Sequence, residues 1–280
     1  MNLKYYNKVY IFIIKKIKSI LIRIIPQNIR QKISSIIAIL IGKRIFIVDK
    51  NSYSGDGLAT NHITDFLKDD QFIQNYDEAA KGTNHKIIYR AYILNYFAEY
   101  SLRLFNDKKG CFIELGTHKG LMAKIILLNS KFENSKINFY LFDTFAGIPL
   151  DNILENEIKH VTSMNQKNYK EDVFEFVEKK FLEYPFVKLV KGKLPITLSQ
   201  NNLNLDNIQF LHIDLNNAYS EIESIKILYD KLLPGAPVIL DDYCYSEDYR
   251  SQKDAWDSFI RTKQMKILSL PTGQGIFFKV

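Results

Sequence analysis

Ile208-Gln209-Phe210-Leu211-His212-Ile213-Asp214 and Pro237-Val238-Ile239-Leu240-Asp241-Asp242 are two short apolar runs, and each ends in acid. One helix-length segment, residues 217–233, lies between them and is closed by Pro234-Gly235. Strand, helix and strand in that order make a parallel pair, because a crossover of this length brings the chain back in the same direction. Asp214, Asp241 and Asp242 then stand at the carboxyl edge of the sheet, where open α/β sheets bind ligands. Carboxylates gathered there repel one another unless a cation or a proton lies between them. A hard divalent cation held by these three acids is the first expectation.

Working outward, strand-like and helix-like segments alternate from residue 111 onward. Strands are predicted near 111–115, 138–142, 187–191, 208–213 and 236–240, and helices near 119–129, 170–184, 217–232 and 249–263. The tail differs: Met265 to Leu270 and Ile276 to Val280 are joined by Pro271-Thr272-Gly273-Gln274-Gly275, which reads as an antiparallel hairpin. The fold class is therefore α/β, a parallel doubly wound sheet closed by a C-terminal antiparallel hairpin. Before the sheet, residues 51–70 read as a loop and a short helix. Residues 71–106 carry helical periodicity, with Ile87, Tyr92, Ile93, Tyr96, Phe97 and Leu102 as candidate buried positions.

The net charge of +7 is unevenly placed. Of the 38 Lys and Arg, eleven fall in residues 1–50, against one of the 31 acids; the remainder carries 27 basic and 30 acidic residues. A mildly acidic body without a basic-aromatic stripe argues against nucleic acid as partner. The first 50 residues are basic, rich in Ile and interrupted by charge, too broken for a transmembrane span or a secretory signal. They read as an amphipathic helical appendage, lying on an anionic membrane surface or packing on protein. A cytoplasmic protein, peripheral at the inner face of the membrane in the first case, is expected. Cys111 and Cys244 show no metal or disulfide spacing and fit a reducing compartment. Homo-oligomerisation is left open.

The first strand runs into Glu114-Leu115-Gly116-Thr117-His118-Lys119-Gly120, a turn that opens a helix. A pyrophosphate cradle needs G-x-G-x-x-G, and this spacing is G-x-x-x-G after a glutamate. The second strand ends in Asp143, placed to accept ribose hydroxyls. Two acids and no phosphate cradle match S-adenosylmethionine better than a nicotinamide dinucleotide. The plainer reading makes this a glycine turn with Asp143 as a helix cap.

Phe112–Gly120, Phe139–Pro149, Gly192–Leu198, Leu211–Asp214, Leu233–Tyr243 and Pro271–Gly275, in this order, resemble the macrocin, mycinamicin and novobiocin type of sugar O-methyltransferase. The resemblance spans roughly residues 55–280. It implies a class I methyltransferase, Rossmann-like with seven strands, that moves a methyl group from S-adenosylmethionine to a hydroxyl of a sugar or glycosylated precursor, including those of surface polysaccharides. Glu114, Gly116, Thr117, Gly120, Asp143 and Gly192 would hold the cofactor. Asp214, Asp241 and Asp242 would bind Mg²⁺, with Asp214 also taking the acceptor's proton. One departure stands out, since some relatives carry Asp where this chain has Asn216.

Residues 1–50 would then form the appendage, 51–106 a helical region covering the substrate, and 107–280 the methyltransferase domain. His62, His85, Arg90 and Tyr243 are candidate substrate contacts for a small-molecule or glycan acceptor. His212 fits the core or a supporting role, His160 a polar loop, and Trp256 packing. Two other functions stay open: methylation of a phenolic or catechol-like acceptor, and a non-catalytic membrane-surface factor that keeps the fold. A dehydrogenase is disfavoured by the missing glycine pattern.

Overall fold

The computed structural model describes residues 29, 53–106, 108–135, 137–199 and 203–280. The expectation of an amphipathic helical appendage over residues 1–50 lies outside the described residues. The chain divides into two compact units, residues 1–68 and 69–280. In the first, β1 (Tyr53–Gly55) and β2 (Leu58–Thr60) pair antiparallel, followed by a 3-10 turn at Asp65–Lys68. A loop was expected here. Asp56 (φ 50°) and Gly57 (φ 76°) make the tight turn instead, and Asp-Gly is a strong hairpin signal because both positions need a left-handed backbone.

The second unit opens with α1 (Asp70–Ala79) and α2 (Ile88–Leu104). Asp69 starts α1 by accepting the Phe72 amide at 3.0 Å. There follow β3 (Cys111–Leu115), α3 (Leu121–Asn129), β4 (Asn138–Asp143), α4 (Glu155–Lys167), α5 (Phe174–Phe181) and β5 (Val187–Lys191). The chain closes with β6 (Ile208–Ile213), α6 (Ala218–Leu228), β7 (Pro237–Leu240), α7 (Arg250–Thr262), β8 (Leu268–Ser269) and β9 (Gly275–Phe278). Seven strands form one sheet in the order β5-β4-β3-β6-β7-β9-β8. β3 to β7 run parallel, and β9 lies antiparallel to both β7 and β8. The parallel sheet and closing hairpin agree with the sequence reading.

Alternation along β3 and β6 sorts the core into two layers. Cys111, Ile113, Leu115, Leu211 and Ile213 cluster with Ile225 and Leu228 of α6 and Trp256 and Ile260 of α7. Phe112 belongs to the other layer, where it stacks on Phe210 (4.9 Å between ring centres) and meets Phe132 edge-on. Each such fully buried side chain contributes roughly 1.5–3 kcal/mol of transfer free energy. Trp256 packs, as expected, and is fully buried.

Two helical expectations need correcting. The face of α2 that is buried comprises Arg90, Ala91, Leu94, Asn95, Ala98 and Ser101. The aromatic positions expected there are only partly buried, and Tyr96 is 52% exposed. The helix lies against β6 and β7, so small residues allow close approach and the bulky rings move to its flanks. Ser101 confirms the closeness by donating to the Gln209 carbonyl at 2.6 Å. His160 lies in α4, where a polar loop was expected, and its ring meets that of Tyr249 at 4.9 Å.

Candidate active site

The sheet's ladder continues one residue beyond the strands, and that extension builds the site. The Gly116 amide donates to the Phe142 carbonyl at 2.8 Å, Asp214 to Leu115 at 2.8 Å, Asp241 to Ile213 at 2.9 Å and Gly192 to Asp143 at 2.9 Å. Asp143, Gly116, Asp214 and Asp241 therefore stand level along one edge. Gly116 has φ +91°, and a Cβ there would lie 1.9 Å from the Asp214 carbonyl oxygen. Only glycine fits where the two strand ends come this close.

A cleft with about 630 Å³ of empty space, part of it open to solvent, lies over this edge. Gly116, Asp143, Gly192 and Asp214 line it, together with His118 and Tyr169. Glu114, Thr117 and Gly120 lie outside the lining. Glu114 and Thr117 are buried just below the turn, and Gly120 (φ 71°) sets the start of α3. Asp143 accepts the amides of His118 (2.6 Å) and Phe145 (2.7 Å), which fixes its carboxylate at the mouth of the turn. Burial raises its pKa above the usual carboxylate range, and these amides oppose the rise. Glu114 Oε2 and Thr117 Oγ1 are buried polar atoms without a hydrogen-bond partner.

The acids meet different neighbours from those first expected. Arg90, buried on α2, places Nη1 2.6 Å from Asp241 Oδ2 and 2.9 Å from Asp242 Oδ1, and its guanidinium lies 4.6 Å from the Tyr245 ring centre. Asp241 Oδ1 accepts Gln274 Nε2 at 2.9 Å and lies 3.7 Å from His212 Nε2. β7 ends at Leu240, so the chain turns at once and both aspartates reach the same guanidinium. Burial works against ionisation of Asp241, but Arg90, His212 and Gln274 outweigh it and hold the carboxyl below its ordinary range.

His212 bridges Asp241 and Glu114, with Nδ1 3.0 Å from Glu114 Oε1. Burial alone would lower its pKa, yet the two carboxylates push it up to about 10. Burial pushes Glu114 up while His212 opposes it. We assign the shared proton to His212, which has a carboxylate at each ring nitrogen.

Asp214 stands apart from this neutralised group. Its Oδ1 accepts Asn216 Nδ2 at 2.8 Å, and Asn216 Oδ1 accepts the Tyr249 hydroxyl at 3.2 Å. Asn216 has φ 59°, a left-handed conformation that asparagine tolerates better than most residues. Burial, then the nearby Asp241 and Asp242, raises Asp214 well above the usual carboxylate range.

The donor set decides how well a divalent cation fits. Both oxygens of Asp241 already face donors, and the charge between Asp241 and Asp242 is Arg90. Among the described residues, no group of three or more His, Cys, Asp or Glu is arranged to hold a metal ion. The three acids as placed do not fit Mg²⁺.

Of the other candidates, His85 lies near the cofactor turn, its ring 6.0 Å from that of His118. The Tyr243 hydroxyl binds Asp257 and, at 3.4 Å, Lys253, so it serves α7 and does not line the cleft. His62 belongs to the first unit, where it is exposed. Tyr169, Tyr249 and Gln274 were not foreseen. The first two come from the segment after Asp143 and the turn before α7, whose polar sequences carry no periodic signal. A turn-forming Gln274 gives no hint that it reaches Asp241.

The sheet order and the glycine-and-acid edge define a class I methyltransferase. The macrocin-O-methyltransferase (TylF) family matches residues 94–271, and the chain belongs to that family. It is a methyltransferase that uses S-adenosylmethionine. The structure of the O-methyltransferase NovP is similar at a TM-score of 0.58, with 19% identity over 74% of this chain and 88% of that one. The calicheamicin methyltransferase CalS11 gives 0.48 with 17% identity over 81% and 99%. A putative caffeoyl-CoA O-methyltransferase from Staphylococcus aureus gives 0.49 with 15% over 77% and 95%. No curated protein sequence matches the chain. Among the described residues no helix is long and apolar enough to cross a membrane.

Proposed function

We propose that the protein methylates a hydroxyl of a sugar or glycosylated precursor, with Asp214 as the base. The observation that carries this reading is the position of Asp214, level with Gly116 and lining the same cleft as Asp143. S-adenosylmethionine supplies a methyl group on a positively charged sulfur. Asp143 offers its carboxylate to the ribose hydroxyls, and the Gly116 turn lets the chain approach the methionyl end. The acceptor oxygen forms the new bond to the methyl carbon as the carbon–sulfur bond breaks, and the bonding pair stays on sulfur. Asp214 takes the acceptor's proton.

An alcohol loses its proton with difficulty, so a base whose pKa lies above the ordinary carboxylate range is better matched to the task. The Tyr249–Asn216–Asp214 chain of hydrogen bonds orients that base. Tyr169, kept neutral by burial and by the surrounding acids, offers a hydroxyl donor in the cleft. No step here passes through a metal ion.

The test is methyl transfer from labelled S-adenosylmethionine to nucleotide sugars, free oligosaccharides and catechols. Sugar products are expected. Transfer confined to catechols would overturn the acceptor class. Asp214→Asn should lower kcat by roughly 10²–10⁴-fold while S-adenosylhomocysteine still binds. Unchanged turnover would remove Asp214 as base.

A further inference from the structure

A second cleft adjoins the first, with about 900 Å³ of empty space counting its open side. Thr83, His118, Lys119, Lys167 and Lys170 line it, and Glu171 is the one carboxylate in its wall. His118 and Glu171 face both clefts. A ligand in the second cleft therefore lies beside whatever occupies the first. Three lysines against one glutamate make it basic, although the body of the chain is mildly acidic.

Two further observations mark the cleft as a binding site. Thr83 Oγ1 and His118 Nε2 are buried and have no hydrogen-bond partner. Such groups are costly to leave unpaired, and a ligand oxygen would give either of them a partner. Burial, with His85, Lys119 and Lys180 adding to it, holds His118 down to about 4. At neutral pH the ring is therefore uncharged, with one N–H to give. The walls are also held in place. Lys180 Nζ donates to the carbonyls of Ala79 (2.6 Å), Lys119 (2.9 Å) and Lys81 (3.5 Å), tying the chain before Thr83 to the turn after His118.

We propose that this cleft binds a phosphate group of the acceptor, so that the substrate is a phosphorylated or nucleotide-activated sugar. This rests on the methyltransferase reading and adds the acceptor's charge to it. Phosphate presents several strong acceptor oxygens and up to two negative charges, which suits lysines and neutral donors at different points around it. The methionyl end of S-adenosylmethionine suits the cleft less well. It carries an ammonium beside its carboxylate, and three lysines would repel that ammonium.

The test uses the full chain and calorimetry, with S-adenosylhomocysteine, UDP-glucose and inorganic pyrophosphate as probes. Wild type is expected to bind all three, and added salt should weaken the two phosphate-bearing probes. Lys167 and Lys170 are exposed, so the double variant K167E/K170E should fold, which thermal melting checks. It should lose at least roughly tenfold in affinity for UDP-glucose and pyrophosphate and less than about twofold for S-adenosylhomocysteine. Thr83→Val should weaken the same two probes. Any of three results overturns the assignment: wild type binding neither phosphate probe, charge reversal leaving their affinities unchanged, or S-adenosylhomocysteine weakening in parallel. Wild type failing to bind S-adenosylhomocysteine would sink the methyltransferase reading as well.

Discussion

Arg90 is the buried cation that stands between two of the three acids. Its guanidinium meets two buried carboxylates, and removing one partner of such a pair leaves charge without compensation. Arg90→Ala should therefore cost on the order of 3–5 kcal/mol, visible as a lower denaturation midpoint. The vacated position between Asp241 and Asp242 then becomes the kind of gap a divalent cation fills. Mg²⁺ should raise the melting temperature of Arg90→Ala and leave that of wild type unchanged, and chelator should leave wild-type turnover unchanged. A chelator-sensitive wild type would show that Arg90 yields its place to a metal. The three acids were legible in the sequence because each ends a strand. Their cation was not, because Arg90 lies more than 120 residues from Asp214 in a helix whose periodicity points to aromatic neighbours.

At the scale of elements, the site depends on how closely β3 and β6 approach at their carboxyl ends. Gly116→Ala would place a methyl against the Asp214 carbonyl and force the strand ends apart. Loss of S-adenosylhomocysteine binding in calorimetry is the expected result, with the β-sheet circular dichroism retained. The packing of α6 on α7 makes a separate, pH-dependent prediction. Glu221 is buried and accepts Trp256 Nε1 at 2.6 Å and Gln252 Nε2 at 2.8 Å. Burial nonetheless raises it from 4.5 to about 7. A carboxyl whose folded pKa is raised stabilises the fold fully below its unfolded value and loses that contribution as pH climbs through the folded one. Wild type should lose on the order of 3 kcal/mol between pH 4.5 and 7 from this group. Glu221→Gln should flatten that slope in thermal melts, from a lower starting stability because its amide faces the same donors.

Helices α3, α6 and α7 were readable because apolar residues recur on one face beside strands of obvious character. α4 escaped because it is mostly polar, and its docking is made by hydrogen bonds. Glu157 accepts the Ala218 amide at 3.0 Å, and Asn165 brackets Ile148 through both its amide and its carbonyl. Contacts of this kind leave no period in a sequence. The wall that Tyr169 and Glu171, just after α4, give the cofactor cleft, and the basic cleft beside it, became visible only with the fold.

For the whole molecule, a ligand that binds only the folded state should stabilise it by mass action. S-adenosylhomocysteine at one hundred times its Kd should add about 2.7 kcal/mol, read as a rise in melting temperature, and Asp143→Ala should abolish that rise. The basic first 50 residues motivate a second measurement. Flotation with anionic vesicles should recover the full chain and leave behind a chain starting at residue 51. Equal recovery of the two would remove the membrane reading.

Gln274 precedes β9, the strand that pairs antiparallel with β7, and it reaches Asp241 from the far end of the sequence. Synthesis proceeds from the other end. While the chain leaves the ribosome, Arg90 and the three acids are all present before the last strand exists, and β7 remains an open edge. The active edge thus becomes complete only after Gln274 and β9 have been made. A released chain truncated at residue 265 should hold the parallel strands without β9, remain prone to pairing with other chains, and bind no cofactor.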